Sequence, residues 1–240
     1  MKKLTLYVAA LALTAGMSLG DTVRMGTEGA FPPYNFINDA GEVDGFEREL
    51  GDELCKRVEL TCEWVTNEWD SIIPNLVSGN YDTIIARMSI TDERDKVIDF
   101  TQNYIPPADS AYVGLTADAD IKGGRVSAQT ATIQAGYVAQ SGATLAEYAT
   151  ADETVAAVRN GEAVAVFADK EYLAPIVADS HGELTFVGEP VSIGGGVGMG
   201  LRESDTELKA KFDSAIQSMK DDGTLNAMIT KWFGATGKLF

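Results

Sequence analysis

Short apolar runs and amphipathic stripes alternate along most of the chain. Residues 22–26 and 81–85 are brief runs with the composition of buried strands. Between them, Phe46, Leu50 and Leu54 recur every four residues, as they do on one face of a helix. This alternation of strands and helices predicts an α/β protein with covered sheets.

The same local order occurs twice in the chain. Helix, glycine and strand follow one another at residues 75–87 and again at residues 157–169. When the two segments are aligned, Arg87 and Asp169 fall on equivalent positions at the ends of their strands. We therefore predict two lobes of similar construction, each with a charged residue where a strand ends.

Residues 194–201 are too rich in glycine for an ordinary core strand. Glycine lets one backbone pass close to another, and it also permits large changes of dihedral angle. A tight crossing and a hinge both fit this pattern. We favour both together, because a segment that crosses between lobes is also their hinge.

The segment at residues 86–94 joins a predicted strand to a predicted helix. Thr91 followed by Asp92 and Glu93 has the pattern of a helix start. Backbone N–H groups at such a junction, together with the guanidinium of Arg94, suit a carboxylate. In the alternative interpretation, Arg94 only pairs with neighbouring acids on a solvated surface.

The N-terminus has the three regions of a secretory signal peptide. Lys2 and Lys3 precede an apolar run at residues 4–13, and small residues follow up to Gly20. We expect an exported, periplasmic protein that begins near Asp21. Loss of the two lysines takes the formal charge from −17 to −19, which argues against nucleic acid or anionic lipid as a partner.

Cys55 and Cys62 are the only cysteines. In an oxidising compartment, two cysteines at close spacing predict one disulfide bond. A metal site is not expected, because His181 is the only histidine and further ligands are missing. We predict no cofactor.

Six short motifs follow one another in order across the mature chain. They are GTEGAFPPY at 26–34, VDGFE at 43–47, ELC at 53–55, WDSIIP at 69–74, MSITDER at 88–94 and GMGLR at 198–202. In their order and spacing, these motifs make the chain resemble the polar-amino-acid family of periplasmic solute-binding proteins. The group for lysine/arginine/ornithine, histidine and opines is the most similar.

The resemblance implies a two-lobe periplasmic-binding-protein fold of type II. Each lobe is expected to be a mainly parallel sheet flanked by helices, with the ligand cleft between the lobes. Lobe 1 is expected at residues 21–107 plus 199–240 and lobe 2 at residues 108–198, after a signal peptide at 1–20.

The resemblance also implies which residues bind the ligand. Arg94 is expected to grip the α-carboxylate of an amino acid, helped by Ser89, Thr132 and the backbone N–H of Ile133, while Asp169 holds the α-ammonium. A zwitterion needs such a fixed cation and fixed anion close together. The full set implied is Glu28, Phe31, Trp69, Arg87, Met88, Ser89, Arg94, Thr132, Ile133 and Asp169.

Specificity is expected to depend on Glu28 and Arg87. By the resemblance, Phe31 and Trp69 sandwich the ligand side chain and Glu28 meets its far end, which favours arginine, lysine, ornithine or an opine. Arg87 departs from the family, whose members usually carry a small residue there. If Arg87 points into the cleft it can neutralise Glu28 or Asp169 and favour a neutral or acidic ligand; if it points outward it has no effect.

The expected function is ligand binding coupled to lobe closure by a monomer, which then delivers the ligand to the permease of an ABC importer. An enzyme that dehydrates prephenate-like compounds is the rival, with Glu28 as the available general acid. The sequence has no arrangement of residues for nucleophilic catalysis. A sensor domain is not expected, because the chain ends at Phe240 without a membrane span.

Overall fold

Two five-stranded sheets form the framework of the computed structural model, which describes residues 22–234 and 237–240. In spatial order, the first sheet contains β5 (Thr61–Thr66), β1 (Thr22–Thr27), β6 (Thr83–Ile84), β13 (Gly200–Leu201) and β7 (Asp99–Phe100). The second contains β10 (Thr144–Tyr148), β9 (Arg125–Gln129), β11 (Ala165–Asp169), β8 (Asp109–Gly114) and β12 (Thr185–Ser192). The expected signal peptide at 1–20 lies outside the described residues.

Helices and a small third sheet complete the architecture. The helices are α1 (Phe46–Arg57), α2 (Ile72–Val77), α3 (Ile133–Ser141), α4 (Ala151–Arg159), α5 (Lys170–Asp179), α6 (Thr206–Asp221) and α7 (Thr224–Phe233). The third sheet contains β2 (Ala30–Phe31), β3 (Asn35–Ile37) and β4 (Val43–Asp44). Within the described ranges, no helix has both the length and the apolar character needed to cross a membrane.

The two large sheets share one design. In the first, β1 runs parallel to β5 and β6, and only β13 runs the opposite way. In the second, β9 runs parallel to β10 and β11, and only β8 runs the opposite way. The predicted α/β fold with mainly parallel sheets is therefore confirmed. We call the parts built on these sheets the first and second lobes.

A buried apolar face and a disulfide bond fix α1 against the first sheet. Phe46, Leu50 and Leu54 are fully buried on this face, as their four-residue spacing predicts. Cys55 on α1 is bonded to Cys62 on β5, with their Cα atoms 6.2 Å apart. The predicted disulfide is thus present and ties the helix to the edge strand.

One local prediction is wrong. The helix expected after Thr91 is only a single 3₁₀ turn, Arg94–Lys96, because the chain must rejoin the sheet at β7. Thr91 still accepts a hydrogen bond from the Arg94 N–H, at 3.2 Å. Phe31 lies in β2, where its backbone pairs with that of Asn35.

Two chain segments cross between the lobes and are hydrogen-bonded to each other. Val197 forms antiparallel bridges with Ser89 and Ile105, and its N–H donates to the Ile105 carbonyl at 3.0 Å. A Cβ on Gly196 would lie 2.8 Å from that same carbonyl oxygen, so only glycine fits. The glycine-rich segment is therefore a tight crossing. The expected lobe boundaries at 107/108 and 198/199 fall in these segments and stay a prediction.

The third strand of each sheet directs a charged residue toward the space between the lobes. β6 and β11 occupy equivalent positions in their sheets. Arg87 follows β6 and Asp169 is the last residue of β11, and the two side chains approach to 3.8 Å. The equivalence predicted from the sequence thus brings the two charges face to face.

We predict that the double substitution Cys55→Ala/Cys62→Ala lowers the free energy of unfolding by about 2 kcal/mol, because the short closed loop no longer restricts the unfolded chain. Urea denaturation of the variant and of oxidised wild type measures the difference, and reduced wild type serves as the control for lost packing at Cys55. Equal unfolding free energies for all three would contradict the prediction.

Candidate functional site

A cavity with about 510 Å³ of empty space, part of it open to solvent, lies between the lobes. It is situated where parallel strands of both sheets end, the usual place for ligands in α/β proteins. Both lobes contribute to its walls. Nine of the ten predicted residues line it: Glu28, Phe31, Trp69, Arg87, Ser89, Arg94, Thr132, Ile133 and Asp169.

Arg94 is held in the cavity wall by neutral groups. Its guanidinium donates to the carbonyl of Ser89 at 2.9 Å and to that of Ala131, across the cavity, at 3.2 Å. The ring of Trp69 lies 5.4 Å from its central carbon. Burial lowers the pKa of Arg94 to about 10, with Asp169 acting in the opposite direction. Arg94 therefore stays charged at neutral pH and retains N–H donors for an anion.

Asp169 provides a carboxylate from the other lobe. It is the last residue of β11 and immediately precedes α5. Gln134 donates to Oδ1 of Asp169 at 3.1 Å. Burial raises the pKa of Asp169, and the nearby Arg87 opposes that rise. An ammonium group arriving at this wall would stabilise the ionised carboxylate.

Glu28 is a second carboxylate in the cavity wall, and its main partner is a neutral amide. Gln129 of the second lobe donates to Glu28 Oε1 at 2.6 Å and also to the Ala149 carbonyl at 3.1 Å. Burial raises the pKa of Glu28 to about 7, against the lowering effect of the Gln129 hydrogen bond. Glu28 is thus poised to ionise when a cation approaches.

Arg87 points inward, which decides between the two orientations considered for it. Its guanidinium donates to Glu171 Oε2 at 3.0 Å and lies 4.8 Å above the ring of Tyr34. The nearest Arg87–Asp169 approach is 3.8 Å, beyond hydrogen-bond distance. Among the described residues, Glu171 and Asp169, rather than Glu28, are the acids that pair with Arg87.

Aromatic rings form the apolar walls. Phe31 stacks on Tyr172 of the second lobe, with ring centroids 4.5 Å apart and planes inclined by 16°. Trp69 faces Arg94 from the first lobe. Its indole N–H is buried and has no hydrogen-bond partner within the described part of the chain. The sandwich of a ligand side chain by Phe31 and Trp69 stays a prediction.

The start of α3 adds backbone donors on the second lobe. The Thr132 hydroxyl donates to the Gln129 carbonyl at 2.6 Å and accepts from the Ala135 N–H at 3.1 Å. Thr132 therefore caps the helix, and Ile133 is its first residue. The first N–H groups of a helix have no partner within it, so the Ile133 N–H suits an anion; its role toward the ligand stays a prediction.

Met88 is the predicted site residue that the structure places elsewhere. Its side chain is fully buried in the apolar cluster of the first lobe, with Ile72 and Leu76. The backbone turns at Arg87, whose φ is 54°. Arg87 and Ser89 line the cavity, whereas Met88 lies in the core.

Four polar residues of the site were missed by the sequence analysis. Gln129 and Gln134 line the cavity, and Tyr34 and Glu171 hold Arg87. Gln129 ends strand β9, so the strand-end rule used for Arg94 also applies to it. Glu171 lies two residues after Asp169, but its pairing with Arg87 depends on how the lobes meet, which no local pattern reveals.

The site pairs a cation and an anion from opposite lobes inside one partly dry cavity, with a further acid at its wall. This arrangement matches a small zwitterion that carries an additional positive charge. Within the described ranges, no cluster of histidine, cysteine or acidic residues suits a metal ion.

Comparisons with known proteins agree with this geometry. Residues 23–235 match the sequence model of bacterial extracellular solute-binding proteins, family 3. The lysine/arginine/ornithine-binding periplasmic protein of Escherichia coli is 32% identical, and the match covers 94% of this chain and 96% of that protein. The octopine-binding periplasmic protein of Rhizobium meliloti is 30% identical, with 97% and 98% covered.

A solved structure is more similar still. It is a periplasmic His/Glu/Gln/Arg/opine family-binding protein from Silicibacter pomeroyi in complex with lysine. Its sequence is 76% identical, its TM-score is 0.90, and the match covers 91% of this chain and all of that chain.

We predict that stability declines with pH because of Glu28. Between its ordinary pKa of 4.5 and its folded value of about 7, the folded protein holds a proton that the unfolded chain has lost. The free energy of unfolding therefore falls as pH rises through this interval. Glu28→Gln should remove roughly 2 kcal/mol of that decline.

Urea denaturation at pH 5 and pH 8 measures this effect. Glu42→Gln, which neutralises an exposed acid, is the control for the loss of one charge and should follow wild type. If Glu28→Gln also parallels wild type, the role of Glu28 in the decline is wrong.

Proposed function

The chain belongs to family 3 of the bacterial extracellular solute-binding proteins, and from that premise we propose that it clamps an L-amino acid with a cationic side chain between its lobes. It is the periplasmic binding component of an ABC amino-acid importer, and its partner is the permease. It is a binding protein rather than an enzyme, as are its relatives.

The observation that carries the ligand proposal is the charge inventory of the cavity. Arg87 and Glu171 compensate each other at 3.0 Å. Arg94, Asp169 and ionised Glu28 remain, with a net charge of −1. An amino acid with a cationic side chain supplies one carboxylate and two cations, so it brings this balance to zero.

The proposed contacts follow from that balance. The α-carboxylate pairs with Arg94 and the N–H groups at the start of α3, and the α-ammonium pairs with Asp169. The side-chain cation meets Glu28, passing between Phe31 and Trp69. The lysine in the Silicibacter pomeroyi structure makes lysine the first ligand to test.

Closure follows from the division of these groups between the lobes. Glu28, Trp69 and Arg94 belong to the first lobe, whereas Thr132 and Asp169 belong to the second. The set is complete only when the lobes meet, so the ligand favours the closed form by its differential affinity. The permease then receives a loaded, closed protein.

The alternative of a neutral or acidic ligand required Arg87 to neutralise Glu28 or Asp169, and its guanidinium lies 3.8 Å from Asp169, beyond hydrogen-bond distance. The guanidinium instead bonds Glu171, and Glu28 bonds the neutral amide of Gln129. The negative charge of Glu28 is therefore available to a ligand cation. This pairing supports a cationic ligand.

We predict that Arg94→Ala and Asp169→Asn each weaken L-lysine binding at least a hundredfold, because each leaves one ligand charge buried without its partner. Isothermal titration calorimetry measures the affinity. The matched controls Arg159→Ala and Asp179→Asn alter residues outside the cavity lining and should bind like wild type. Wild-type affinity in both site variants would contradict the assignment of Arg94 and Asp169 to the ligand.

We also predict that Glu28 recognises the cationic group of the ligand side chain. Wild type should prefer L-lysine over L-norleucine, which lacks the side-chain ammonium group, and Glu28→Gln should lose most of that preference.

The affinity for lysine should also depend on pH. Below about pH 7, lysine must displace the proton of Glu28, so wild-type affinity should rise with pH by up to about tenfold per unit and then level off.

Calorimetry from pH 5 to pH 8.5, in two buffers of different ionisation enthalpy, detects both the affinity and the released proton. Norleucine serves as the ligand control, because it does not reach Glu28 with a charge. Glu28→Gln should give a flatter pH profile for lysine. An unchanged profile and preference in that variant would contradict the role.

A further inference from the structure

Arg87 presents a problem for the proposed binding of the α-ammonium. Its side chain is 4% exposed, and its guanidinium lies 3.8 Å from Asp169 Oδ1. Two buried opposite charges at that separation attract each other strongly. A guanidinium that moved onto Asp169 would occupy the carboxylate that the ligand needs.

The backbone fixes the point from which Arg87 reaches into the cavity. Its φ is 54°, in the left-handed region, which is uncommon for a residue with a side chain. Its N–H donates to Glu47 Oε1 at 2.6 Å, and Glu47 is fully buried and also accepts from Asn35 and Tyr104. Only the far end of the Arg87 side chain therefore has a choice of partner.

Glu171 is what holds that far end. It accepts from Arg87 Nη2 at 3.0 Å, 0.8 Å closer than the approach to Asp169. Tyr34 donates its hydroxyl to the same Glu171 oxygen at 2.7 Å, and its ring lies beneath the guanidinium. Three groups thus form one assembly, with Glu171 bonded to both others.

We propose that Glu171 is a positioning residue that holds the Arg87 guanidinium away from Asp169 and so leaves Asp169 able to accept the ligand's ammonium group. This inference rests on the proposed function, because it gives Asp169 the role assigned there. The loss of Glu171 is therefore expected to harm binding only while Arg87 is present.

The pair also joins the lobes, since Arg87 belongs to the first and Glu171 to the second. A simple clasp between lobes is therefore the competing explanation. The two explanations differ in one respect. If Glu171 restrains a competitor, removal of Arg87 repairs the loss of Glu171; if the pair is a clasp, removal of either residue is equally harmful and nothing is repaired.

The test is calorimetric titration of L-lysine into wild type, Glu171→Gln, Arg87→Ser and the double variant. Glu171→Gln should bind at least tenfold more weakly, because Arg87 then pairs with Asp169. The double variant should bind at least severalfold more tightly than Glu171→Gln, because no guanidinium then remains to occupy Asp169. Arg87→Ser completes the cycle as the single variant that leaves Glu171 without its partner. Glu183→Gln, which breaks the exposed Arg159–Glu183 pair at 3.2 Å, is the matched control and should bind like wild type.

Tyr34→Phe provides an independent test of the role of Glu171, because it removes the hydroxyl that donates to Glu171 and keeps the ring that packs in the core. Loss of the hydroxyl should loosen Glu171 and weaken lysine binding severalfold, and this effect should vanish in the Arg87→Ser background. Circular dichroism confirms that each variant is folded before titration.

Two outcomes overturn the inference while leaving the proposed function in place. One is wild-type affinity in folded Glu171→Gln, and the other is a double variant that binds no better than Glu171→Gln. Failure of wild type itself to bind lysine, arginine, ornithine or any other L-amino acid overturns the proposed function, and this inference with it.

Discussion

Charge compensation in a cavity that excludes much of the water is the constraint on which the binding site depends. A buried ion costs several kcal/mol unless an opposite charge or good hydrogen bonds replace its water. Arg87 and Glu171 satisfy this requirement between themselves. Arg94 and Glu28 are held only by neutral carbonyl and amide groups, and the raised pKa of Glu28 reflects that cost. Ligand binding and charge neutralisation are therefore the same event.

The sequence predicts the placement of a residue better than it predicts its partners. Arg94 and Asp169 were placed near the ends of buried strands, which meet at one edge of a sheet, and the family resemblance implied their roles toward the ligand. Met88 was predicted as part of a whole motif, whereas its side chain is buried in the apolar cluster of the first lobe. The pairing of Arg87 with Glu171 joins residues 84 positions apart, and it exists only because the two lobes meet.

The fold gains its function from the repetition of one design. β6 and β11 are each the third strand of their sheet. The helix, glycine and strand pattern seen twice in the sequence therefore has a structural counterpart. Because the lobes face each other, the two copies present opposite charges to a shared space. Of these two charges, the proposed site uses only Asp169 for the ligand, because Arg87 is paired with Glu171; the cation for the ligand carboxylate is Arg94, which lies outside the repeated segments.

The bridge between the crossing segments has a mechanical consequence. Val197 is hydrogen-bonded to Ile105 on the neighbouring segment, so the two crossing segments form a short paired ribbon rather than two separate connections. A ribbon flexes easily across its face but resists shear in its own plane, since shear stretches the hydrogen bonds. We therefore expect the sheets to move relative to each other mainly by a jaw-like opening.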